Sequence, residues 1–283
     1  MSTVLHDRHR VFLAGGWIVE MLRQADPRLF FAESSSVTQL ALHVVTELTR
    51  SDVIETGVAQ RELLLLLARF ARYGDEAVMR RVQQEMRRAR VSAEQVIDIY
   101  IPAAIKMIGT CWHDGELDIL QASIASARLQ TLLRELGRAW VADQCGHNAD
   151  ARVLLVLPRG EQHTLGAMIA ANQLRRLGVS VRMQLLPSAD NVVAELRNLA
   201  FDGLFLSVSK ESGLESCKEL IKTVRTQLNR AVPVAIGGGI VSADNPVLTP
   251  ARIAAQTGAD IVTLDVIEAL NFCGLLRRSE AAE

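Results

Sequence analysis

The stretch VLLVLPRGEQHTLG (residues 153–166) decides the fold of this chain. Val153 to Leu157 is an aliphatic run of strand length, fit for burial on both faces, and Pro158-Arg159-Gly160 ends it. A helix is predicted to open around Thr164 to Gly166, with Leu165, Ile169 and Leu177 as its apolar positions. His163 then falls on the loop beyond the carboxyl end of a first strand, where open α/β sheets hold their ligands. Glu161, two residues earlier, is a carboxylate able to orient an imidazole and raise its basicity. Gly166, three residues later, has no side chain to keep a planar ligand off the backbone.

Working outward, strands are expected at 152–157, 180–185, 203–208, 232–236 and 261–264. Helices are expected between them, at 165–177, 190–200, 213–228 and 250–257, with a last one at 266–276. This alternation predicts an α/β domain, a five-stranded parallel doubly wound sheet, over 151–283. Upstream the rhythm is helical, with apolar residues three and four apart in Val11–Gln24, Val37–Arg50, Val53–Arg72 and Asp75–Arg90. Ser92 to Gln95 has the form of a capping box opening a helix that runs to Ile108, and Pro102 should kink or break it. After a turn at His113 to Gly115, a final helix is expected from Leu117 to Trp140. An all-helical region over 1–142 is thus joined to the sheet by a polar, unperiodic linker at 143–150.

Composition narrows the function classes. The 283 residues are 49% hydrophobic with a formal net charge of −1, as expected of a soluble globular chain with no general electrostatic pull toward nucleic acid or anionic membrane. Met1 to Arg10 is charged and lacks the apolar region of a signal peptide, and the apolar run Leu63 to Ala68 is too short to span a bilayer. Cys111, Cys145, Cys217 and Cys273 form no C-x-x-C pair, which suggests reduced thiols in a cytoplasmic protein. Arg80, Arg81, Arg87, Arg88 and Arg90 are interrupted by glutamines and Glu85, the pattern of a solvated helix face rather than of a nucleic-acid reader. A receiver domain would need an acidic pair after the first strand and an aspartate ending the third; Pro158-Arg159 and Ser207-Val208-Ser209 stand there instead. A dinucleotide fingerprint needs more glycines in the first turn than Gly160.

The spacing Glu161-x-His163-x-x-Gly166 resembles the Asp-x-His-x-x-Gly motif of cobalamin-binding domains, whose histidine replaces the cofactor's own base below cobalt. Leu206-Ser207-Val208-Ser209 resembles the Ser-x-Leu segment of those domains, in a register that leaves the roles of Ser207 and Ser209 open. Gly237-Gly238-Gly239 stands where the family lets backbone approach the nucleotide tail. Trp112 and Gly115 match the Trp-x-x-Gly of the helical cap (about 75–142) in methionine-synthase-like and CarH-like proteins, where the tryptophan covers the upper corrin face. The Glu-His pair that follows in those caps is replaced by Ala122-Ser123. The resemblance then implies an upper ligand other than adenosyl, either water or hydroxide or the neighbouring His113, which otherwise is a turn histidine. His6, His9, His43 and His147 lie in no motif.

Glutamate at 161, the missing Glu-His pair and the extra amino-terminal helices are most similar to the PpaA/AerR antirepressors of purple photosynthetic bacteria. That resemblance implies a Rossmann-like cobalamin-binding domain under a helical cap. It also implies a non-enzymatic, light- or redox-responsive regulator that contacts a PpsR/CrtJ-type repressor. Two other readings stay open at this point: a corrinoid methyl carrier, and a heme sensor using His163 as axial ligand.

Overall fold

The computed structural model describes residues 53–138, 151–241 and 248–276. The helices expected at Val11–Gln24 and Val37–Arg50, the linker at 143–150, and His6, His9, His43 and His147 lie outside the described residues. The chain divides into two compact units, Met1–Leu136 and Gly137–Glu283.

In the first unit α1 (Val53–Tyr73) and α2 (Glu76–Arg88) are followed by a turn of helix at Ala93–Gln95, a π-helical segment at Val96–Tyr100, α3 (Ile101–His113) and α4 (Ile119–Leu136). Heptad-like stripes face inward: Leu64, Leu67 and Ala71 from α1, Ile101, Ala104, Ile108 and Cys111 from α3, and Ala125, Leu129 and Leu132 from α4 are all buried. Each buried leucine contributes about 2 kcal/mol, which is what holds helices of this length together. The capping box forms as expected, with the Ser92 and Gln95 side chains each bonded to the other's backbone N–H. Pro102 does not break the helix. It occupies the first turn of α3, directly after the π-helical segment, where Ile101 N–H reaches back to the Val96 carbonyl. The wider turn takes up the register that a proline, lacking an N–H, would otherwise disrupt.

Arg128 Nη1 of α4 donates to the carbonyls of Ala71 (2.9 Å) and Arg72 (2.7 Å), capping the end of α1. Gly74 leaves the room for it, since a Cβ there would meet Arg128 Nε at 2.6 Å.

The second unit holds β1 (Ala151–Leu157), α5 (Thr164–Arg176), β2 (Val179–Leu185), α6 (Ala189–Asn198), β3 (Gly203–Ser207), α7 (Leu214–Gln227), β4 (Val234–Gly237), α8 (Pro250–Thr257), β5 (Ile261–Val262) and α9 (Val266–Phe272). The strands are all parallel, in the order β2-β1-β3-β4-β5. Alternation along β1 sends Val153, Leu155 and Leu157 to a core shared with α5 and α9, and Leu154 and Val156 to one shared with α6, α7 and α8. Both faces are therefore dry, which is why these strands read as unbroken aliphatic runs. The expected elements are present, with shifts at their ends. β4 starts at Val234, after Pro233, and β5 stops at Val262 because Asp265 already caps α9.

Arg90 ends α2 with φ 52°, and Val91 N–H closes onto the Met86 carbonyl. Such a left-handed helix terminus favours glycine. Arg90→Gly is expected to raise the stability of the helical unit by about 0.5–1 kcal/mol, read as a higher midpoint in thermal unfolding.

Candidate functional site

The site is built at the carboxyl edge of the sheet, on the loops that follow β1 and β3. Gly160, at φ 88°, turns the chain after β1 so that Glu161 points inward and is only 5% exposed. His163 is the N-cap residue of α5 and makes no side-chain cap; its imidazole serves the loop instead. The Glu161 carboxylate accepts from His163 N–H (2.8 Å), and its Oε1 lies 2.7 Å from His163 Nδ1. It also accepts from Ser209 N–H (2.6 Å) and from Ser209 Oγ (2.7 Å to Oε2). Ser209 Oγ is itself 2.7 Å from His163 Nδ1.

Burial alone would raise the Glu161 pKa from its ordinary 4.5. The hydrogen bonds from His163 N–H, the Ser209 hydroxyl, Ser209 N–H and the imidazole outweigh it and hold the group at about 2. A carboxylate ionised at neutral pH only accepts, so Nδ1 carries a proton, which in the neutral imidazole leaves the lone pair on Nε2. The His163 side chain is 56% exposed, which leaves Nε2 available to a metal held above the loop. The same geometry excludes a hydrolytic relay. Such a relay needs serine and carboxylate on opposite imidazole nitrogens, whereas here both meet Nδ1.

The other expected site residues divide into four groups. Gly166 is exposed on the first turn of α5, and a Cβ there would meet nothing within 4 Å, so the surface beside His163 is open. Ser207 is buried at the end of β3, in register with Gly237. Of the two serines, Ser209 is the one the structure joins to Glu161 and His163.

The glycines at 237–239 have a role that sequence reading did not anticipate. Gly238 has φ 100°, and a Cβ there would meet Val208 N at 2.8 Å; at Gly237 it would meet the Thr263 carbonyl at 2.9 Å. The close approach they permit is to the chain's own backbone, where Val208 N–H bonds the Gly237 carbonyl and Ile240 N–H bonds the Val208 carbonyl. In the helical unit, Trp112 (49% exposed) and His113 end α3 at the surface. Ser123 turns its hydroxyl back onto the Ile119 carbonyl at 2.7 Å.

A histidine held through Nδ1 by a carboxylate and a serine stands at the switch loop of a β2-β1-β3-β4-β5 sheet. The B12 binding domain family matches residues 151–267. An "Uncharacterized 20.5 kDa protein in bchF-crtJ intergenic region" of Rhodobacter capsulatus is 40% identical over 182 residues, 64% of this chain and 92% of that protein. The chain belongs to the family of that protein, the PpaA/AerR type of B12-binding protein. The HTH-type transcriptional repressor CarH of Myxococcus xanthus is 31% identical over 133 residues, 46% of this chain and 42% of the repressor, so the match spans less than half of that relative. In fold, the chain is similar to the Methanosarcina barkeri monomethylamine corrinoid protein, with a TM-score of 0.58 at 17% identity over 75% of this chain and 96% of that one. No helix among the described residues is long and apolar enough to cross a membrane.

Two outcomes follow from the geometry. Because the folded Glu161 pKa lies below its ordinary value, its contribution is complete above pH 4.5 and is lost as pH falls from there through about 2. Glu161→Gln should therefore lower stability at pH 7 by about 3 kcal/mol and flatten the acid limb of a pH–stability curve, measured by denaturant unfolding. Gly238→Ala should destabilise the sheet domain by roughly 3 kcal/mol in the same assay, through both the strained φ and the Val208 clash.

Proposed function

We propose that the chain is a cobalamin-binding, light- or redox-responsive regulator that acts by contact with a PpsR/CrtJ-type repressor and not by catalysing turnover. The observation that carries the cobalamin assignment is the fixed imidazole: Nδ1 is tied to Glu161 and Ser209, so the free Nε2 faces out as a preset lower ligand. The open surface at Gly166 fits a broad planar group there. When bound, cobalamin supplies a visible chromophore and a cobalt centre with exchangeable axial ligands. The chain's own residues hold the His163 tautomer, keep the carboxylate charged and fix the loop's position on the sheet. By resemblance, Trp112 is assigned to the upper face. Ala122 and Ser123 offer no carboxylate or imidazole there, which favours a hydroxo or aquo form over adenosyl, with His113 as the candidate protein ligand.

The regulatory half of the proposal rests on the relatives, one encoded between bchF and crtJ and one a transcriptional repressor. A response needs two states with different affinity for the partner, not tight cofactor binding alone. A cytoplasmic location is part of the same proposal.

Titrating the apoprotein with hydroxocobalamin, and separately with heme, in the dark and under visible light, tests the assignment. The expected result is a shifted corrin spectrum that changes on illumination without any substrate. A Soret band with heme and no corrin shift would replace cobalamin by heme. His163→Ala should weaken cobalamin binding at least tenfold and restore the spectrum of the free cofactor; unchanged affinity and spectrum would remove the lower-ligand role.

A further inference from the structure

Among the described residues, the backbone is left-handed at two non-glycine positions, Arg90 and Leu186. Arg90 terminates a helix, where that conformation is ordinary. Leu186 does not. It follows β2 directly, at φ 53°, and donates its N–H to the carbonyl of Leu157, the last residue of β1, at 2.9 Å. Pro187 and the N-cap Ser188 then lead into α6.

A leucine in this conformation is strained, and glycine or asparagine would be easier to place there. Its burial does not offset the strain, because Leu186 is 49% exposed and its neighbour Leu185 57% exposed. The position is specific. Register places Leu185 opposite Leu157, so the two leucines stand at the carboxyl edge beside the point where the loop to His163 departs. On the other flank of that loop the chain presents Ser209 and the turn at Gly238; on this flank it presents the exposed side chains of Leu185 and Leu186.

We propose that Leu186, backed by Leu185, is an apolar rest for the rim of the corrin ring whose lower face His163 addresses. The inference rests on the cobalamin reading above. A macrocycle centred on the imidazole is far wider than the loop that carries it and must overhang one or both neighbouring strand ends. The corrin rim bears methyl groups between its amide arms, and leucine side chains match those methyls while offering nothing to a phosphate or a nucleotide base. Ring contact explains why a strained, exposed leucine stands where a smaller residue would fold more easily.

The test uses the full-length apoprotein, with hydroxocobalamin and with aquocobinamide, which has the same ring but no nucleotide tail. Leu186→Gly and Leu186→Asn should weaken both ligands by about tenfold, the effect of losing a half-exposed leucine's contact area. The spectrum of the bound cobalamin should stay that of wild type, since Leu186 does not touch the metal, and neither apo variant should melt below wild type. Wild-type affinity in both variants would overturn the proposal, as would a loss confined to hydroxocobalamin, which would place Leu186 on the tail. A lower apo melting temperature with unchanged affinity would show a purely structural leucine. If wild type itself binds neither corrinoid, the cobalamin reading fails and this inference fails with it; wild-type binding with insensitive variants removes only the role of Leu186.

Discussion

The Glu161 carboxylate is the interaction on which the rest of the site depends. It is buried, it is charged, and it ties the loop after β1 to the loop after β3 through Ser209 N–H and Oγ. An isolated buried carboxylate would be expelled or neutralised, so its persistence requires all of its donors. Those donors are His163 and Ser209, the residues of the candidate site. The stability of the loop and the orientation of His163 are the same set of hydrogen bonds, and the imidazole is fixed before any ligand arrives.

The sheet makes this arrangement possible by bringing β1 and β3 together as neighbours although β2 lies between them in sequence. In a doubly wound parallel sheet the crossover direction reverses beside β1, and the loops leaving β1 and β3 diverge there to leave a crevice. Glu161 is buried where those two loops meet, and the His163 side chain beside it is exposed. Gly237 and Gly238 serve the same end differently, letting the turn after β4 press against Val208 so that the segment carrying Ser209 is held from behind.

Much of this was legible beforehand. The aliphatic runs marked the strands because burial on both faces admits no polar alternation, and the polar or proline-rich punctuation marked their ends to within about two residues. The spacing of Glu161, His163 and Gly166 across one loop and the helix start is a local relation, readable in the sequence. Ser209 could be proposed but not chosen over Ser207, because a one-residue register at a strand end depends on which side chain the neighbouring loop can reach. Pro102 predicts a kink or a break, and the π-helical turn that precedes it instead has no composition signal. Leu186 carried no signal at all, for its left-handed backbone is set by where β2 meets β1.

What the sequence determined by itself was therefore the order of elements, the loop at the carboxyl edge and the pairing of the histidine with its carboxylate, all consequences of hydrophobic periodicity and short-range spacing. The tertiary structure alone decided which serine joins them, on which imidazole nitrogen, and why the glycines are needed. Those depend on residues some 48 positions apart meeting at hydrogen-bond distance, and only strand pairing brings them there.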